Sequence, residues 1–250
     1  MPSSKWWLIA IFVFFFSLEY FIPLRKNVKK RLPRFLTNFA MIVSATLLIK
    51  IVFGQFFILN YTFSYSLFSY LKLDSKIEFI VAFLALDLMI YFWHRINHRF
   101  DFLWRFHKVH HFDQELDAST ALRFHFGELF FSTLYRFPFL FLLGIKIDVL
   151  IWFEFLTTAM AIFHHSNINL PFLFEKYLNI IIVTPRMHEI HHSVVPGEMR
   201  SNLGTIFAFW DRLFKSQVPI ASTQKIEIGL YENNHKSNDQ LFTSLKSPFV

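Results

Sequence analysis

The chain has 250 residues, 54% of them hydrophobic, 20% aromatic and only 17% charged, with 36 Phe and a formal net charge of +7. An average globular chain carries about 25% charged residues. Here the charges cluster between long apolar runs, which excludes a soluble enzyme, a disordered tail and a secreted disulfide scaffold; the absence of Cys removes thiolate metal sites, Cys nucleophiles and disulfides.

A bilayer-spanning helix needs roughly 20 mostly apolar residues. The first candidate is Trp6–Ile22, with only Glu19 charged. Its strong positive block follows the apolar run and no small-residue cleavage site closes it, so it reads as a retained helix rather than a signal peptide. Phe35–Leu59, holding Lys50, and Ile77–Trp93, holding Glu78 and Asp87, come next. Leu129–Leu143 and Ile147–Phe163 are shorter, are separated by Gly144, Ile145 and Lys146, and read as a helical hairpin turning near the far face. The expected fold is all-α: a multi-pass transmembrane helical bundle with about four or five membrane-embedded helices.

Basic residues orient such a bundle. Arg25, Lys26, Lys29, Lys30, Arg31 and Arg34 make the first loop cytoplasmic, and the spans alternate from there. Under that topology 19 of the 25 Lys and Arg lie inside, so the positive charge is an orientation signal. A nucleic-acid partner would call for a basic face on a soluble fold, and none is expected.

All 12 His fall in segments assigned to the cytoplasmic side. His94 and His98 form H-x-x-x-H; His107, His110 and His111 form H-x-x-H-H; His188, His191 and His192 repeat that pattern. Residues three and four apart share a helix face, about 5–6 Å between β-carbons, so each box can aim its imidazoles at one place. Neutral imidazole binds iron, zinc, copper or nickel. A lone His at a membrane surface more often just satisfies a hydrogen bond, and His235 in the polar tail keeps that reading. His125, His164 and His165 stand between the second and third boxes. So many imidazoles exceed the four ligands of one structural ion, and two ions with about four or five His each use them naturally. The scarcity of carboxylates argues against a bundle built on Glu-x-x-His motifs. Asp87, an ionisable residue within a span and on the His94 face, is expected to orient His94. Glu128, Asn167, Glu189 and Asp211 are further supports of that kind.

The pattern resembles the fatty acid hydroxylase/sterol desaturase superfamily of integral-membrane, histidine-box di-iron enzymes. The resemblance runs from about Ile77 to Phe214 and rests on Asp87–His98, Leu103–His111, Leu122–Glu128, Phe163–Pro171, Thr184–Ser193, Ser201–Gly204 and Trp210–Phe214. It implies that the eight box histidines and His165 ligate two Fe ions, with His125 and His164 as further candidates. At His125 this chain has His-Phe where family members often have His-Pro. The resemblance also implies O2 as co-substrate, electrons from a separate redox protein, and hydroxylation or desaturation of a lipid such as a sterol or fatty acyl chain. The chain then divides into N-terminal transmembrane helices without an assigned motif (1–76), a membrane-embedded catalytic domain (77–215) and a polar C-terminal tail (216–250). The His-rich segments form a cytoplasmic helical cap, in a bacterial inner membrane, or an ER membrane in a eukaryote. Two rivals use the same imidazoles: a zinc-dependent membrane hydrolase with Glu189 as acid/base, and a non-catalytic membrane metal-binding protein.

Overall fold

The computed structural model describes residues 4–26, 31–59, 66–222, 225–230 and 241–250, without the side chains of residues 4, 5 and 54–59. His235, Lys29 and Lys30 lie outside the described residues. Helices dominate: α1 (Ser4–Phe21), α2 (Arg31–Leu59), α3 (Leu67–Leu71), α4 (Ser75–Arg99), α5 (Asp101–His111), α6 (Phe126–Leu143), α7 (Ile147–His165), α8 (Phe172–Leu178), α9 (Pro185–His191), α10 (Pro196–Met199), α11 (Phe209–Leu213) and α12 (Leu241–Lys246). Two short 3-10 turns, Ala118–Leu122 and Ser247–Phe249, and isolated bridges such as Pro23 with Ile168 supplement them among the described residues.

Among the described residues, four helices are long and apolar enough to cross a membrane: Arg31–Phe53 of α2, and α4, α6 and α7; Trp6–Phe21 of α1 is a shorter apolar helix. The fold is therefore an all-α, multi-pass membrane bundle. At 1.5 Å per residue, the 18 residues of α6 and the 19 of α7 span about 27 and 28 Å. That is close to the roughly 30 Å of a hydrocarbon core. The hairpin between them turns at Gly144, whose φ of 74° is the left-handed helix cap that glycine adopts without strain. The 25 residues of α4 reach about 37 Å, so its last turns, carrying His94 and His98, extend past the hydrocarbon thickness.

Lipid-facing chemistry shows in what stays exposed: Leu36, Leu47, Ile51, Ile80, Leu142 and Ile151 point outward from these helices. Inside, Leu86, Phe153, Leu140 and Ile145 pack α4 against α6, α7 and the turn between them. Polar interactions concentrate at one end. Glu19 of α1 is fully buried and accepts the backbone N–H groups of Ala118 (2.7 Å) and Asn167 (2.9 Å). Arg34 of α2 is buried against Asp113 and Asp117, each at 2.8 Å. Buried charges are tolerable only when paired in this way. These pairs fasten the first two helices to the 113–122 segment beside the histidines.

Candidate metal centre

The histidines converge at that end from four helices: His94 and His98 from α4, His107, His110 and His111 from α5, His165 from the end of α7, and His188, His191 and His192 from α9 and its C-cap. They fall into two sets. His94, His98, His107, His111 and His191 form one, and His110, His165, His188 and His192 the other; in each set the candidate ligand atoms lie within 4.8 Å of one another. The sets adjoin, His111 stacking on His192 with ring centroids 4.4 Å apart. The sequence expectation that each box aims at one place holds for His94 and His98 and needs correction for the other two boxes. His107 and His111, four apart, share a face and serve the first set, while His110, about 100° round the helix, serves the second. In α9 the division repeats, with His188 and His192 in the second set and His191 in the first.

Proton positions can be read from the partners of Nδ1. His94 faces the Leu203 carbonyl at 2.9 Å, His191 the Ser201 carbonyl at 2.9 Å, His110 the Arg123 carbonyl at 3.2 Å and His165 the Ala161 carbonyl at 2.7 Å. His107 faces Glu128 Oε1 at 2.7 Å. A carbonyl or carboxylate oxygen can only accept, so each Nδ1 carries the hydrogen and each Nε2 presents a lone pair. Yet Nε2 of His110 lies 3.0 Å from Nε2 of His165, and the two cannot both accept. The Nε2 atoms of His94 and His191 are buried and find no partner among the described residues. Converging, unsatisfied lone pairs are costly and are what a divalent cation satisfies. The donor set fits two metal ions. Burial, and then the neighbouring imidazoles, hold His110, His111, His188, His191 and His192 well below the ordinary imidazole value, so these rings are neutral. Neutral imidazole is the ligating form.

The remaining sequence candidates take other places. His125 caps α6: its Nδ1 accepts the Gly127 N–H at 3.0 Å, and its Nε2 donates to the Leu245 carbonyl at 3.2 Å. His164 is buried against His188, centroids 4.1 Å apart, and belongs to neither set. Asp87 does not touch His94. It accepts the indole N–H of Trp210 at 2.8 Å and the backbone N–H groups of Ile206 and Phe207 at 3.3 and 3.2 Å. Asp87 thus holds the loop whose Leu203 carbonyl orients His94, because a short Asp side chain on α4 reaches the loop's N–H groups first. Asp211 braces the same loop through the N–H groups of Leu203 and Gly204, both at 2.8 Å. Asn167 exchanges hydrogen bonds with the Arg25 backbone at 2.8 and 2.9 Å, and Arg25 reaches Glu189 at 2.8 Å. Glu128 is the carboxylate behind a box histidine, His107. The backbone carbonyls behind His94, His110, His165 and His191 have no sequence signal, since every residue carries one. Asn97, inside the first box, escapes the sequence reading altogether.

A cavity of about 430 Å³ opens beside the two sets, walled by α2, α4, α6 and α7. His94, His110, His165 and His188 form its inner end, and Arg136 and Glu154 lie on its wall within the span. Ile42, Ile90, Trp93, Leu122, Phe124 and Leu129 give it an apolar surface. Such a space, apolar with a few converging polar groups, suits a lipid-like ligand.

Comparison with known proteins agrees with this geometry. A family model described as fatty acid hydroxylase matches residues 79–216. An ornithine lipid hydroxylase of Rhizobium tropici is 32% identical over 137 residues, 54% of this chain and 40% of that protein. An alkylglycerol monooxygenase of Xenopus tropicalis is 29% identical over 157 residues, 63% of this chain and 34% of the relative. A human cholesterol 25-hydroxylase is 25% identical over 141 residues, 54% of this chain and 48% of the relative. The chain thus spans between a third and a half of the length of these relatives. No solved structure matches it. The histidine sets and the family match over more than half of the sequence lead to one conclusion: the chain belongs to the fatty acid hydroxylase family.

Proposed function

We propose that the chain is a membrane-embedded di-iron oxygenase that hydroxylates a lipid, with residues 77–215 as its catalytic part and 216–250 as a tail. The observation that carries this reading is the pair of adjoining imidazole sets, in which Nδ1 of His94, His107, His110, His165 and His191 faces an acceptor and leaves the Nε2 lone pair turned inward. His94, His98, His107, His111 and His191 would hold one iron, and His110, His165, His188 and His192 the other. Bound there, the irons supply the activation of O2 needed to attack an unactivated C–H bond.

The chain's own groups do the rest. Glu128 and the carbonyls of Leu203, Ser201, Arg123 and Ala161 fix ring orientation, a preorganisation that metal sites require. The apolar wall of Ile42, Ile90, Trp93 and Leu129 admits a lipid and excludes bulk water beside the site. The substrate C–H, O2, a pair of electrons and a pair of protons then give a hydroxylated lipid and water. The electrons come from a separate redox protein docking on the histidine side, which faces the cytoplasm of a bacterial inner membrane, or that of an ER membrane in a eukaryote. The relatives are named hydroxylase and monooxygenase, which supports hydroxylation over desaturation. The hydrolase alternative needs a free carboxylate as acid/base, and Glu189 is engaged by Arg25 at 2.8 Å.

Comparative lipid mass spectrometry tests the reading. Cells with the wild-type chain should accumulate a lipid gaining one oxygen, dependent on O2 and reductant, and His110→Ala should abolish it. Identical lipid profiles under good expression and iron supply would remove the oxygenase.

A further inference from the structure

The largely apolar cavity beside the histidines also carries polar side chains on its wall. Asn97 lies on its wall, between the two ligand-bearing positions of the first box. Its side chain is 1% exposed, and neither Oδ1 nor Nδ2 has a hydrogen-bond partner among the described residues. Along the same wall, Thr157 Oγ1 and Arg136 Nε are also buried without partners, although another nitrogen of Arg136 reaches Glu154 at 2.5 Å. A buried carboxamide with both its donors and its acceptor unmatched is destabilising unless something pairs with it. Asn97 precedes His98 by one residue, so its side chain is about 100° round α4 from that imidazole and points at the cavity instead.

An occupant that is hydrocarbon throughout would leave these groups desolvated and unpaired. An acceptor-only group, such as an ether or ester oxygen, would match the amide donors and leave Oδ1 unmatched. A group that both donates and accepts matches both halves of the carboxamide.

We propose that Asn97 is a specificity-determining residue of this cavity, hydrogen-bonding an amide or hydroxyl group of a polar lipid substrate next to the carbon presented to the metal centre. The position of the oxidised carbon rests on the oxygenase reading; the binding itself stands apart from turnover. It places the oxidised carbon near a polar linkage of the lipid rather than at the far end of an acyl chain.

The test is a binding titration of the purified, iron-loaded full chain in detergent, followed by native mass spectrometry. Three chain-matched probes are compared: N-methylhexadecanamide, hexadecanol and methyl hexadecyl ether. The wild type should bind the amide or the alcohol about tenfold more tightly than the ether, the scale of a well-made pair of hydrogen bonds. Whichever of those two binds more tightly identifies the polar group. Asn97→Leu and Asn97→Ala should each bring the preference within twofold, at unchanged iron content, and Asn97→Ser should recover most of it. Equal binding of all three probes by the wild type would overturn the proposal even if no variant folds. A preference that survives both Asn97→Leu and Asn97→Ala would overturn it too. Should the preference hold while no O2-dependent product forms in cells, the oxygenase reading fails and the Asn97 subsite remains.

Discussion

His125 and His165 are both buried imidazoles at the histidine-rich end, yet their nitrogens are committed in opposite senses. His165 donates from Nδ1 to Ala161 and turns its Nε2 lone pair inward. His125 accepts at Nδ1 from Gly127 and donates from Nε2 to Leu245, leaving nothing for a metal. His125→Asn keeps a good helix N-cap, so the variant should retain full iron content by elemental analysis. His165→Asn should lose about half of it. Glu128→Leu removes the acceptor behind His107 and should weaken metal binding by about 10–100-fold in chelator competition. The convergence of nine imidazoles was legible in the sequence because it rests on side-chain identity, and three boxes at helical spacing rarely arise by chance. The carbonyls that fix their tautomers were not, because backbone chemistry carries no letter. Asp87 was legible as an ionisable residue within a span, but its partners Ile206, Phe207 and Trp210, some 120 residues away in sequence, were not.

At the scale of elements, apolar length located the spans: Ile77–Trp93 lies within α4, and Leu129–Leu143 and Ile147–Phe163 lie within α6 and α7. It did not reveal that the H-x-x-H-H boxes on α5 and α9 each feed both sets, a consequence of the 100° step between neighbouring residues. Nor did it reveal the loop after α10, which contributes two of the orienting carbonyls, from Ser201 and Leu203. That loop is held tightly at Gly204. A Cβ there would sit 2.8 Å from the Phe207 carbonyl and 3.0 Å from Asp211 Oδ2, and the first of these is backbone that cannot swing aside. Gly204→Ala should therefore destabilise the protein by about 1–3 kcal/mol, the usual cost of overpacking. It should also shift the Leu203 carbonyl away from His94. The expected readout is a lower unfolding midpoint together with faster iron release from the five-histidine set. Gly197→Ala is the control, since a Cβ at that position meets nothing within 4 Å. Equal behaviour of the two variants would mean the loop does not position His94.

For the whole molecule, orientation decides whether the chemistry can be supplied with electrons. On the proposed orientation, read from the Lys/Arg asymmetry, the loops carrying the histidine boxes would face the cytoplasm; the structure gathers those boxes at one end, with the α6–α7 turn at the other. Because the chain contains no Cys, single cysteines can report each side without background. Asp148 is exposed at the start of α7, beside the far turn, and Gly197 is exposed in α10 with open space around it. An impermeant maleimide should label Asp148→Cys in intact spheroplasts and reach Gly197→Cys only after permeabilisation. The reverse pattern would place the histidine end outside. A cytoplasmic redox donor would then be separated from the metals by the full thickness of the bilayer, roughly 30 Å of hydrocarbon, and electron supply would have to come from the opposite compartment.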